Sequence, residues 1–233
     1  YKRQSHGRAI GAVLDGMAAG VPVDESFVAA CMDKRRARGD GLSTPRTEAD
    51  AVQFLSGVVN GRTTGTAIAL MIENTNTRSG DYAKTADLLR PGHADYTAYA
   101  KYHGYQDARG GGHFSGRVTA ALVAGGALVL GALNRAGIEI VTHIGRCAGI
   151  SDTPFALDNP AALAAQAEAL LNKSEGFALL DGSVEESMKA AIRAAGAEGD
   201  SVGGVLETAI LGLPAGVGEP YFDSVESKFA HLA

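Results

Sequence analysis

Runs in which apolar and polar positions alternate, punctuated by glycine turns, predict strands along much of the chain. Residues 6–16 (HGRAIGAVLDG) alternate and end in a turn, which reads as a strand. Phe27, Val28, Cys31 and Met32 recur at helical spacing behind Asp24, which can cap the helix they define. The run AVQFLSGVV, then Asn60-Gly61, then a threonine- and isoleucine-rich stretch to Met71-Ile72 form a strong hairpin signal, so antiparallel sheet is expected. Arg90-Pro91-Gly92 breaks the chain, and HADYTAYAKYHGY places its alanines and tyrosines at helix-compatible spacing. Residues 109–117 are too rich in glycine for a regular element and read as a loop. Residues 118–136 are almost all small or aliphatic, which predicts a helix buried on nearly every side.

In the second half, residues 138–143 read as a strand and Asn159-Pro160 opens an alanine-rich helix. Ser183 and Glu186 have capping-box spacing, residues 201–211 read as a strand, and residues 214–220 turn the chain. Asp223 and Glu226 form a second capping box ahead of an apolar stripe, Val225, Phe229 and Leu232. The stripe stops at Ala233 with no glycine or asparagine cap, and the opening strand starts as abruptly, so the sequence reads as cut at both ends. No repeat and no linker marks a domain boundary, so residues 1–233 are expected to form one partial domain.

Composition narrows the class. Glycine supplies 31 of 233 residues, about 13% against a usual ~7%, yet hydrophobic residues reach 45%, which excludes disordered and collagen-like chains. With 21 basic and 26 acidic residues the net charge is −5, so no global positive field recruits nucleic acid. Positive charge is focused instead: Lys34, Arg35, Arg36, Arg38 and Arg46 lie close together, a pattern suited to a small anion or to a solvated helix end. Cys31 and Cys147 have neither ligand spacing nor a disulfide framework, which suits a reducing compartment. No apolar run is expected to approach a membrane span, and the chain reads as cytoplasmic.

Three of the six histidines, His6, His93 and His113, border glycine turns, where a tight backbone presents a side chain to a ligand. Each alone also reads as a solvated loop histidine, and no pair has zinc-ligand spacing, so no metal is expected. Gly110, Gly111 and Gly112, followed by Ser115 and Arg117 at a helix start, read as a backbone cradle for an anion or as a plain loop. The stretch lacks a P-loop lysine and is not a G-x-G-x-x-G fingerprint. Ser115 lacks the strand-turn-helix context of a hydrolase nucleophile.

Taken together, several segments resemble chorismate synthase. They are residues 5–11 (SHGRAIG), 61–82 (GRTTGTAIALMIENTNTRSGDY), 90–97 (RPGHADYT), 101–117 (KYHGYQDARGGGHFSGR), 199–204 (GDSVGG) and 213–233 (LPAGVGEPYFDSVESKFAHLA). The resemblance implies an α+β fold in which antiparallel β-sheets flank a layer of buried helices, assembled as a homotetramer. It implies a lyase that eliminates phosphate in the anti-1,4 sense from 5-enolpyruvylshikimate 3-phosphate to give chorismate. Reduced FMN is required without net redox change, the flavin being reduced either by the protein itself, with NADPH as the source of electrons, or by an external reductase. His6 is then the general acid for the departing phosphate, and His93 protonates or steadies the reduced flavin. Arg35, Arg36, Arg46 and Arg117 match substrate-binding arginines, and His113, Phe114 and Ser115 match a flavin-contacting stretch in which many members carry Arg-Ser-Ser. The family continues well past Ala233, so the extreme N-terminus and roughly the final third are expected to be missing. A chain that truly ended there would be a non-catalytic phosphate- or flavin-binding fragment.

Overall fold

The opening alternation forms β1 (Ala9–Leu14), the first element in a computed structural model that describes residues 7–37, 41–43, 48–75, 88–107 and 111–232. Two units divide the chain, residues 1–132 and 133–233.

In the first unit β1 is followed by α1 (Glu25–Arg35), β2 (Val52–Phe54), β3 (Val58–Val59), β4 (Arg62–Thr63), β5 (Ile68–Glu73), α2 (Asp95–Tyr102) and α3 (Thr119–Arg135). β5 lies between β1 and β2, antiparallel to both, with Ile10 opposite Ile72 and Leu14 opposite Ile68. That register places Ile10, Ile68, Leu70 and Ile72 in one core with Val28 and Met32 of α1 and with Ala120, Ala124, Ala127 and Leu128 of α3. Asp24 caps α1 as expected, accepting from Phe27 N at 3.0 Å. Asn60 and Gly61 join β3 to β4 with φ of +49° and +68°, the two positive values that a type I′ hairpin turn demands.

Two expectations for the helix after the glycine loop need correction. α3 is not buried on nearly every side: its alanine face is packed, whereas Leu122 is 56% exposed. Its composition is apolar all round, but the small-residue face alone allows the sheet to approach. In addition, residues Gly116–Arg135 are long and apolar enough to cross a membrane by length and composition, contrary to the expectation that no run is. Ala120, Ala124, Ala127 and Leu128 pack against the sheet, as in a core helix.

The second unit contains β6 (Glu139–Cys147), β7 (Ile150–Ser151), α4 (Pro160–Asn172), α5 (Glu185–Ala197), β8 (Gly204–Leu211) and α6 (Val225–Leu232). β6 pairs antiparallel with both β7 and β8, and its ladder to β8 shifts register between Ile144 and Arg146. The strand expected over 138–143 therefore runs further, past a bulge. It turns through Ala148 and Gly149, at φ +52° and +82°, into a strand that no standard turn dipeptide announced. Val141, Phe155, Ala167 and Leu170 form one core cluster, and Cys147, Leu179 and Met188 another.

The caps differ from expectation in two places. The Ser183–Glu186 box does not form: Asp181 accepts from Ser183 N at 2.9 Å, starting a short 3-10 turn that leads into α5, and Val184 at the helix start makes no side-chain cap. At α6 the bond from Ser227 N goes to Ser224 Oγ at 3.2 Å, while Asp223 pairs with Lys228. In each case an oxygen in a slightly different register reaches the orphan amide first.

His143 is fully buried, its Nδ1 2.7 Å from Asp152 Oδ2 and its Nε2 2.8 Å from Glu207 Oε2. Burial pushes the Asp152 carboxyl up, but amide donors from Leu180 and Asp181, each at 2.7 Å, together with His143, outweigh it and hold the group below its ordinary value. A lowered folded value means stability that is present above the unfolded value of about 3.9 and is lost as pH falls through the folded one. The urea-unfolding gap between wild type and Asp152→Asn is therefore expected to be at full size above about pH 5 and to shrink below about pH 4.

Candidate active site

Two buried carboxylates bring the arginines together. Arg35, the last residue of α1, donates from Nη1 to Asp50 Oδ2 at 2.8 Å, from Nε to Thr119 Oγ1 at 3.2 Å and from Nη2 to the Gly116 carbonyl at 3.2 Å. Arg117, in a 3-10 turn whose start is capped by Ser115 Oγ, donates from Nη1 to Asp50 Oδ1. Its Nε donates to Asn74 Oδ1 at 3.1 Å and its Nη2 to the Glu73 carbonyl at 3.3 Å, while Glu48 Oε2 lies 2.6 Å from Nη2. The Arg117 and Asp50 side chains are 7% and 2% exposed, so this is an interior ion cluster. Asp50 holds its position with φ at +51°, a left-handed conformation that aspartate tolerates better than most residues.

Above the cluster opens a cavity of about 400 Å³, lined by Arg35, Arg36, Ser43, Ser115, Gly116 and Arg117, with Glu48 and Asp50 contributing as well. Arg36 is the most open of the three arginines, half-exposed and paired with Asp33 at 2.9 Å. Among the described residues Arg35 commits one of the two N–H groups on each terminal nitrogen. Arg117 is bonded at all three nitrogens, so its first task is to hold the cluster in place. Asn74 extends the network: its amide donates to the Gly7 carbonyl at 2.9 Å, anchoring the residue that follows His6.

His93 lies in the turn before α2 and does not line the cavity. Its Nδ1 is 3.1 Å from Asp95 Oδ1. Arg90 grips the same carboxylate with its backbone N at 3.0 Å, its Nε at 2.7 Å and its Nη2 at 2.9 Å. The Arg90 guanidinium, outweighing desolvation, holds the Asp95 carboxyl well below the usual carboxylate range. The glycine loop expected over 109–117 contains a 3-10 turn, Gly112–Phe114, in which Gly112 has φ +51° and a Cβ would meet the Asp107 carbonyl at 2.7 Å. The turn exposes His113 and Phe114, with ring centroids 6.3 Å apart, and the Tyr102 ring lies 5.8 Å from His113.

The structure thus groups Arg35, Arg36, Arg117 and Ser115 around one cavity and sets His113 and Phe114 in the adjoining turn. His6 and Arg46 lie outside the described residues. Sequence reasoning did not single out Glu48, Asp50, Asn74 or Asp95. The available signals were the two acids just downstream of a basic cluster, and an aspartate two residues beyond His93.

Arginines framed by buried acids around a cavity, beside an exposed aromatic turn, give this α+β chain a site suited to an anion. The family model described as chorismate synthase matches residues 3–233. The chain belongs to the chorismate synthase family. It is 42% identical over 228 residues to the chorismate synthase of Aliarcobacter butzleri (strain RM4018), covering 98% of this chain and 60% of that protein. It is 43% identical over 227 residues to that of Sulfurimonas denitrificans (strain ATCC 33889 / DSM 1251), covering 97% and 60%. A structure titled "Crystal Structure of Chorismate Synthase" matches with a TM-score of 0.70 at 28% identity, over 93% of this chain and 59% of that one. The chain spans about 60% of the length of the curated relatives it matches.

The residues present fit a flavin. Exposed His113 and Phe114 offer flat faces, and the Cβ-free backbone of Gly111 and Gly112 keeps the turn tight: a Cβ on Gly111 would lie 2.8 Å from Ser115 Cα.

Proposed function

We propose that this protein carries out the chorismate synthase reaction, eliminating phosphate in the anti-1,4 sense from 5-enolpyruvylshikimate 3-phosphate to give chorismate. The observation that carries the reading is the arginine-lined cavity held by Asp50 and Glu48 within a chain of this family. Arg35 and Arg36 bind the substrate's anionic groups, and Arg46 adds a further positive charge. Arg117 braces Arg35 through their shared carboxylate and contributes positive potential. His6, next to the anchored Gly7, delivers a proton to the departing phosphate. His93 exchanges a proton with, or steadies, the cofactor, and both roles suit an imidazole near neutral pH.

His113, Phe114 and Ser115 would hold reduced FMN, which when bound would supply transient electron donation for loss of an allylic phosphate, without net redox change. NADPH serves as the source of electrons. The protein works as a cytoplasmic homotetramer.

The arginine assignment is tested by calorimetric titration with the substrate. Arg36→Ala removes one half-exposed cation, and a charge-assisted contact of this kind is expected to weaken binding by about 10-fold. The melting temperature is expected to stay at the wild-type value, because among the described residues the ion pair of Arg36 is with exposed Asp33. Unchanged affinity would remove Arg36 from the site. Tight binding with no turnover by the unmutated protein would favour the alternative, a non-catalytic phosphate- or flavin-binding role.

A further inference from the structure

We infer that Asp95 is a positioning residue that fixes His93 as the Nδ1–H tautomer, leaving Nε2 as the atom that exchanges the proton; the inference rests on the proposed role of His93. The geometry is that of a carboxylate–imidazole pair with its own clamp. Asp95 is the first residue of α2, where the N-terminal end of the helix favours a negative charge. Three donors from Arg90 reach its two oxygens, so the carboxylate cannot swing away from the ring. An ionised carboxylate only accepts hydrogen bonds, so the ring nitrogen facing Oδ1 at 3.1 Å must be the one that carries hydrogen. The turn is closed by a backbone bond from His93 N to the Arg90 carbonyl at 3.3 Å, which joins clamp, carboxylate and imidazole in six residues.

Neutral imidazole otherwise populates both tautomers, and only the Nδ1–H form presents an unprotonated Nε2 able to accept a proton. In Asp95→Asn, Arg90 still demands the side-chain oxygen. The amide NH₂ is then left facing His93, where it can only donate, and the ring is pushed to the Nε2–H form. The same substitution in a carboxylate–histidine pair is known to damage catalysis through the wrong tautomer, as the serine-protease triad illustrates.

The test reads the two ring-nitrogen shifts of His93 in protein labelled with ¹⁵N-histidine, with His93→Gln supplying the assignment. In wild type at a pH where the ring is neutral, Nδ1 is expected in the protonated range and Nε2 in the unprotonated range. Asp95→Asn is expected to reverse the two and to lower kcat about 100-fold with KM nearly unchanged, the lower end of acid–base effects. Asp95→Glu, which restores the carboxylate, is expected to recover the wild-type spectrum and part of kcat. A spectrum unchanged by Asp95→Asn would overturn the inference, as would a reversed tautomer with wild-type kcat. Full activity in His93→Ala would instead overturn the proposed role of His93 itself, and the positioning role with it. The shifts report on Asp95 whatever the activity assay shows, so the two failures are distinguishable.

Discussion

Arg117→Met is expected to lower the unfolding free energy by about 3–5 kcal/mol, the usual effect of removing one partner from a buried ion cluster. Arg117 is nearly inaccessible, and its guanidinium bridges Asp50, Glu48, Asn74 and the Glu73 carbonyl. Without it, two buried carboxylates lose the guanidinium they share, and among the described residues Arg35 is the cation still paired with Asp50. The loss is chiefly that of uncompensated charge, so neutralising the acids should restore much of it. Urea unfolding of Arg117→Met and of the triple variant Arg117→Met, Asp50→Asn, Glu48→Gln separates the two terms. The single variant is expected to be the less stable. A single variant within about 1 kcal/mol of wild type would mean that these carboxylates are not isolated from water when Arg117 is absent. The contrast with Arg36→Ala, which should weaken binding and spare stability, divides the arginines into one that builds the cavity and one that serves it.

His6→Ala and His93→Ala are each expected to reduce kcat by about 10²–10⁴-fold, the range in which a positioned proton donor or acceptor contributes. Their effects on substrate affinity should be small, since the charges that bind phosphate are carried by the arginines and survive both changes. A single-turnover assay with saturating substrate and reduced FMN reads this directly. Normal turnover in both variants would leave the protein as a phosphate binder whose histidines are incidental. The two histidines are also expected to be non-additive if they act within one proton-transfer sequence, so the double variant should lose far less than the product of the single losses.

Much of this fold was legible from patterning. Helical spacing behind Asp24, the Asn60-Gly61 turn and the Asn159-Pro160 helix start were all readable, because each depends on contacts within a few residues. The caps of α5 and α6 slipped because Ser183 and Asp223 each had a neighbour within two residues that could accept the same kind of bond. α3 misled for a different reason: composition reports how apolar a helix is, not which face a sheet covers. In the site, Arg35, Arg36 and Arg117 stood out as charges. Asp50 did not, although it is the residue that joins two of them. Its pairing spans 15 residues in one direction and 67 in the other, and no local pattern carries such a contact. The Asp95–His93 pair was closer at hand, but a short polar motif in a turn declares its geometry only when the backbone folds. Family resemblance supplied the chemistry that spacing could not.

The most direct test of the proposed function is an anaerobic assay of the protein with 5-enolpyruvylshikimate 3-phosphate and reduced FMN. It would measure chorismate, inorganic phosphate and flavin absorbance together. The expected result is one phosphate released per chorismate formed, with the flavin still reduced when substrate is exhausted. Flavin oxidised in proportion to product, or substrate bound with no phosphate released, would contradict it.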